Sequence, residues 1–85
     1  MFVRKLRVEL VEPGGIRPAP KQWLDDYFMK NFIRLSRFDE TLVTGDGEME
    51  AGLSVTADMV REQLELWLRG RKMIEPEARL EVRER

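Results

Sequence analysis

The spacing of hydrophobic residues changes four times along this chain of 85 residues. Residues 2–11, FVRKLRVELV, alternate with period two and predict a half-buried strand. From Pro20 onward the apolar residues recur at helical spacing, which predicts a helix of about four to five turns. The residues expected to share its buried arc are Trp23, Leu24, Tyr27, Phe28, Asn31, Phe32 and Leu35.

The stretch from residue 41 to residue 60 predicts a hairpin followed by a helix cap. TLVT, residues 41–44, is a short β-branched run, and GDG, residues 45–47, is typical of a tight turn. The next strand is expected to place Met49, Ala51, Leu53 and Val55 inward. Thr56 has the character of an N-cap, and the helix after it is expected to end with Gly70 at the C′ position.

The two remaining segments complete the order of elements. EPGGIRPAP, residues 12–20, is predicted to be a loop because it holds three of the four prolines and two adjacent glycines. The last residues, 78–85, alternate again and predict a final strand, with Ala78, Leu80 and Val82 inward.

The resulting order, βαββαβ, predicts a single α+β domain over residues 1–85 with a ferredoxin-like fold. Its four-stranded sheet is expected in the order 4-1-3-2, with both helices on one face. The first and third strands are expected to lie side by side and parallel at the centre.

Composition excludes several classes of chemistry. The chain has no cysteine and no histidine, which removes disulfides, thiolate nucleophiles, imidazole bases and the common zinc sites. No spacing forces two carboxylates or a lysine together, so we predict a non-enzymatic protein with no catalytic residues, no metal and no cofactor. The scarcity of Asn and Gln beside many Glu and Arg residues favours a thermophilic source.

Charge and hydropathy limit the partners and the location. The net charge is −1, and no strongly basic segment is present, which disfavours sequence-independent binding to DNA. Apolar runs are far shorter than the roughly 20 residues that span a bilayer, so a cytoplasmic protein without a membrane partner is expected.

The sheet face away from the helices is expected to carry charges rather than aromatic rings. Lys5, Arg7 and Glu9, together with Thr41 and Val43, are placed on it by the alternation. RNA-recognition modules of this topology present aromatic residues there, so stacking on RNA bases is disfavoured. Cross-strand ion pairs of Lys5 or Arg7 with Glu50 are expected instead.

Surplus apolar residues on the helices point to a protein partner. Met29 and Ile33 on the first helix, and Met59 and Leu66 on the second, lie away from the expected core faces. The uncharged TLVT strand, expected at a sheet edge, offers a second route to association. We therefore predict a protein-interaction module that forms a homodimer, or another homo-oligomer, or docks on a larger protein.

An alternative is a module that binds nucleic acid or phosphate. Arg17 and Lys21 flank the glycine-rich loop ahead of a helix N-terminus, where backbone N–H groups favour anions. Lys30, Arg34 and Arg37 follow at i, i+4 and i+7 and form a basic stripe along the first helix.

Overall fold

The computed structural model describes residues 3–31 and 41–85. Its strands are β1 (Val3–Glu12), β2 (Gly15–Pro18), β3 (Thr41–Gly45), β4 (Glu48–Gly52) and β5 (Arg79–Glu84), and its helices are α1 (Lys21–Asn31) and α2 (Ala57–Gly70). The predicted α+β class is confirmed.

Within the described residues the sheet has five antiparallel strands rather than the four that the sequence predicted. β1 lies at its centre and pairs with β2, β4 and β5, while β3 pairs with β4. The predicted first and third strands, now β1 and β4, are neighbours as expected. Their predicted parallel orientation is wrong, since Val3 pairs with Gly52 and Arg7 pairs with Glu48.

The fifth strand comes from the segment that was predicted to be a loop. β1 continues to Glu12, the chain reverses at Pro13 and Gly14, and β2 then pairs back along β1 from Gly15 to Pro18. Pro13 and Gly14 suit a reverse turn, and Gly15 adopts a positive φ of 142°. Pro18 is tolerated because it ends a strand that pairs on one side only.

A single core joins the helices to one face of the sheet. Its side chains come from alternate positions of β1, β4 and β5 and from both helices, and the largest of them are Leu6, Leu10, Leu24, Tyr27, Met49, Leu64, Leu68 and Leu80. Leu53 was predicted to point inward but is 63% exposed. The reason is that β4 ends at Gly52 and a turn follows, in which the Val55 N–H donates a hydrogen bond to the Gly52 carbonyl. Val55 is buried as predicted.

The two helices begin close to where they were predicted. Thr56 is the N-cap of α2, and its hydroxyl accepts a hydrogen bond from the Met59 N–H. α2 includes Gly70, so the predicted C′ position was wrong, and Lys72 takes the left-handed conformation instead. α1 is described as far as Asn31, and the predicted later turns lie outside the described residues. Neither described helix is long and apolar enough to cross a membrane.

Candidate interaction surface

An apolar groove lies between α1 and the strand β3. It has a volume of about 750 Å³ and is lined, in the described part of the chain, by Lys21, Asp25, Phe28, Met29, Thr41, Leu42 and Val43. Met29 is 78% exposed and Leu42 is 60% exposed, whereas Phe28 and Val43 are half-buried against the core. Two of the most exposed large apolar side chains therefore border the same groove.

Packing of α1 on the core explains why Met29 lines this groove. Tyr27 is buried, and its ring centroid lies 5.5 Å from the Trp67 ring of α2. Because successive residues of a helix turn by about 100°, Met29 lies about 200° around α1 from Tyr27. Burial of Tyr27 thus directs Met29 away from the core.

The register of β3 against β4 directs Leu42 outward. Leu42 pairs with Glu50, so both lie on the open face, meaning the sheet face opposite the helices. Val43 pairs with the buried Met49 and lies on the helix side. The expectation that Thr41 and Val43 lie on the open face was therefore wrong. A shift of one residue in register exchanges the two faces of a strand.

The predicted apolar anchors occupy different elements. Leu66 is 66% exposed, and Met59 is half-buried seven residues earlier on α2, so the two share one outer side of that helix. They do not line the groove beside β3. Ile33 lies outside the described residues.

Two exposed apolar side chains were not singled out as anchors from the sequence. Ile16 on β2 is 62% exposed, and Leu53 lies in the turn before α2. The dipeptide Pro13-Gly14, a strong turn signal, was the available clue that Ile16 follows a hairpin turn.

Arg17 and Lys21, predicted for the alternative site that would bind nucleic acid or phosphate, already have carboxylate partners. Arg17 Nε lies 2.8 Å from Glu12 Oε1, and the guanidinium lies over the Trp23 ring, 5.7 Å from its centroid. Lys21 Nζ lies 2.8 Å from Asp25 Oδ2.

The N-terminus of α1 is also occupied by a carboxylate of this chain. The Lys21 N–H donates a hydrogen bond of 2.8 Å to Asp46 Oδ1, in the turn between β3 and β4. The sequence does not predict this contact, because Asp46 lies 25 residues after Lys21 in the chain. A negative side chain at this end of a helix is favourable, because the first N–H groups lack partners within the helix.

The basic stripe is only partly covered by the structure. The backbone of Lys30 belongs to α1, but its side chain, Arg34 and Arg37 lie outside the described residues. The stripe therefore remains a prediction.

Compared with known protein families, curated proteins and solved structures, the chain matches none.

Ion pairs on the open face are centred on Glu9. Its carboxylate lies 3.6 Å from Arg7 Nε and 3.1 Å from Arg83 Nη2, and Glu48 Oε2 lies 2.5 Å from Arg85 Nη1. Within residues 3–31 and 41–85, neither Lys5 nor Arg7 forms the predicted pair with Glu50. The same part of the chain contains no group of acidic residues that could hold a metal ion.

Proposed function

We propose that this chain is a small non-enzymatic protein-interaction module that self-associates or docks on a larger protein. The observation that carries the proposal is Met29, which is 78% exposed on the wall of an apolar groove beside a strand at the sheet edge. The anchors are Met29 and, on α2, Leu66 and Met59, with Ile33 as a further predicted anchor.

Burial of these side chains would supply the driving force. Covering apolar surface contributes about 25 cal/mol for each Å² removed from water, and contiguous apolar surface of this kind is a common mark of contact sites. Methionine adapts its shape to different partners because its side chain is unbranched and flexible. Leu42 lies at the same groove and adds to the surface available there.

We also propose that the fold is a ferredoxin-like one that has gained a hairpin strand. The pairing of β5 with β1, of β1 with β4 and of β4 with β3 supports this assignment. On this view β2 is an added strand, and it pairs with the part of β1 that extends beyond the end of β4.

The experiment combines light scattering with site-specific photo-crosslinking. A photo-crosslinking amino acid replaces Met29 or Leu66 in the full chain, and a control replaces Glu77, an exposed residue in the loop before β5. We expect a discrete adduct, with a second copy or with another protein, from position 29 or 66 and none from position 77. The mass in solution, measured at low and high salt, should exceed the monomer mass of 10.1 kDa if the partner is a second copy.

Two results would contradict the proposal. One is a monomer that gives no adduct from either apolar position in cells of the source organism. The other is a monomer that carries nucleic acid, detected by its absorbance ratio, which high salt removes. That second result would favour the basic stripe instead, since phosphate contacts weaken steeply with salt.

A further inference from the structure

We propose that β5 is a pairing edge for a second copy of this chain, and that Glu65 and Arg69 of α2 hold this edge closed. When the edge opens, the β5 strands of two copies pair antiparallel around a two-fold axis at Leu80. The inference goes beyond the proposed function, because it concerns a different surface from the one that carries Met29 and Leu66.

β5 is an edge strand whose outward backbone groups can be identified. Within the described residues it pairs with β1 alone. The Arg85 N–H, directly after β5, donates to the Lys5 carbonyl, so residue 85 turns its backbone groups toward β1. Because successive residues of a paired strand turn these groups to opposite sides, Leu80 and Val82 turn theirs outward. A row of such groups is a template for another strand.

Two side chains of α2 occupy this edge. The Leu80 N–H donates a hydrogen bond of 2.9 Å to Glu65 Oε2 rather than to a strand. Arg69 donates to the Ala78 carbonyl, and its Nη1 lies 2.6 Å from Glu65 Oε1. A second strand can bond to these backbone groups only after both contacts open. We call Glu65 and Arg69 the edge latch.

The charges along β5 select its own sequence as the partner. In antiparallel pairing around Leu80, Arg79 of each copy lies opposite Glu81 of the other. Pairing shifted to Glu81 would instead set Glu81 against itself and Arg79 against Arg83. Opposite charges on facing strands are favourable and like charges are destabilising, so the charges favour the register around Leu80.

The helix side of β5 fits the same register. Leu80 lies opposite its own copy at the axis, and Ala78 lies opposite Val82, so the facing side chains are all apolar. Leu80 and Ala78 are buried, and Val82 packs against the core. The outward backbone groups of Leu80 also face each other, so the two copies exchange a pair of hydrogen bonds there.

The first experiment detects this register by disulfide formation, which is selective because the chain has no cysteine of its own. Arg79→Cys is made in one batch and Glu81→Cys in another, both with Glu65→Ala to open the edge latch. Facing residues without backbone hydrogen bonds between them have Cα atoms about 4.5 Å apart, which a disulfide can span. We expect the mixed disulfide to form about tenfold faster than a disulfide within either batch.

The control for the latch is the same mixture with Glu62→Ala, at an exposed position of α2, in place of Glu65→Ala. The mixed disulfide should form about tenfold more slowly there, because Glu65 still occupies the Leu80 N–H. If circular dichroism shows that Glu65→Ala is unfolded, Arg69→Gln replaces it, since that variant frees the Ala78 carbonyl and removes the cation beside Glu65.

The second experiment tests the charge pairing by sedimentation of the Glu65→Ala chain over a range of concentrations. Adding Arg79→Glu should raise the dimer dissociation constant by about tenfold or more, because it sets two pairs of like charges opposite each other. Adding Glu81→Arg as well should restore the constant to within about threefold, because the exchanged charges again face their opposites.

Three outcomes would overturn the inference. The first is a mixed disulfide that forms no faster than the disulfide within one batch. The second is equal disulfide formation with Glu65→Ala and with Glu62→Ala, which would remove the latch. The third is a dimer that Arg79→Glu does not weaken. The proposed function is tested separately by adducts from positions 29 and 66, so each of these results leaves it standing.

Discussion

Gly47 joins the turn between β3 and β4 to β1 and to the segment that follows β2. It lies in the turn between β3 and β4, where its carbonyl accepts a hydrogen bond from the Val8 N–H and its own N–H donates to the Ala19 carbonyl. Its φ is +66°, in the left-handed region. A Cβ atom there would lie 2.7 Å from the Val8 carbonyl oxygen and 2.7 Å from Pro18 Cβ. Both the conformation and the space therefore require glycine.

We predict that Gly47→Ala lowers the free energy of unfolding by about 2 kcal/mol or more, because it adds a backbone clash to the cost of a left-handed residue. The control is Gly45→Ala in the same hairpin, where a Cβ atom would meet only the end of the Glu48 side chain at 3.3 Å. It should change stability by less than about 1 kcal/mol. Urea denaturation measures both variants, and equal losses would contradict the argument.

Single residues also mark the limit of what the sequence could predict about the site. The exposure of Met29 and Leu66 follows from helical periodicity, and both are exposed as expected. Leu42 faces outward because of its register with Glu50, which the sequence of β3 alone does not determine. Asp46 caps a helix that begins 25 residues earlier, and no local pattern reports so distant a contact.

At the scale of elements, α2 was predictable and β2 was not. α2 has a capping threonine and an apolar stripe that includes the buried residues Val60, Leu64 and Leu68. β2 is four residues long and all four are exposed, so it has no alternation of buried and exposed positions to detect. A strand without a buried side chain leaves little signal in its sequence.

The C-terminus of α2 ends in a Schellman motif with lysine in the place usually taken by glycine. The Met73 N–H donates to the Leu68 carbonyl at 2.9 Å, and the Lys72 N–H donates to the Arg69 carbonyl at 3.0 Å. Lys72 has a φ of 58°, which is unfavourable for a residue with a Cβ atom.

We predict that Lys72→Gly raises the free energy of unfolding by about 0.5–1 kcal/mol, because glycine adopts this conformation without steric cost. Lys72→Ala is the matched control, since it removes the charge but keeps the Cβ atom, and it should not stabilise the protein. Thermal unfolding compares the two. Equal stabilisation by both variants would assign the effect to the lost charge instead.

At the scale of the whole molecule, Glu65 and Arg69 tie the helix layer to the sheet. Glu65 Oε2 accepts a hydrogen bond of 2.9 Å from the Leu80 N–H of β5, and Glu65 Oε1 lies 2.6 Å from Arg69 Nη1. Arg69 in turn donates to the carbonyl of Ala78, just before β5. β5 pairs with the central strand β1 on one side only, so these two side chains connect α2 to an edge strand of the sheet.

The same contacts make stability depend on pH in a defined direction. Burial alone would raise the pKa of Glu65, but the hydrogen bond from Leu80 and the Arg69 guanidinium outweigh it and hold that pKa below its ordinary value of 4.5. A carboxyl group whose pKa is lowered by folding stabilises the protein above its unfolded-state pKa. That contribution is lost as the pH falls through the lowered pKa of the folded state.

We therefore predict that Glu65→Gln lowers the free energy of unfolding at neutral pH and weakens its dependence on pH below about 4.5. Glu62→Gln, at an exposed position on the same helix, is the control and should keep the slope of the unmodified chain. Urea denaturation from pH 7 to pH 3 gives both quantities. If Glu65→Gln kept the full acid sensitivity, the tie between α2 and β5 would depend on Arg69 and the apolar core rather than on ionised Glu65. If it lost that sensitivity, the Glu65 carboxylate would be the acid-sensitive link between the two layers.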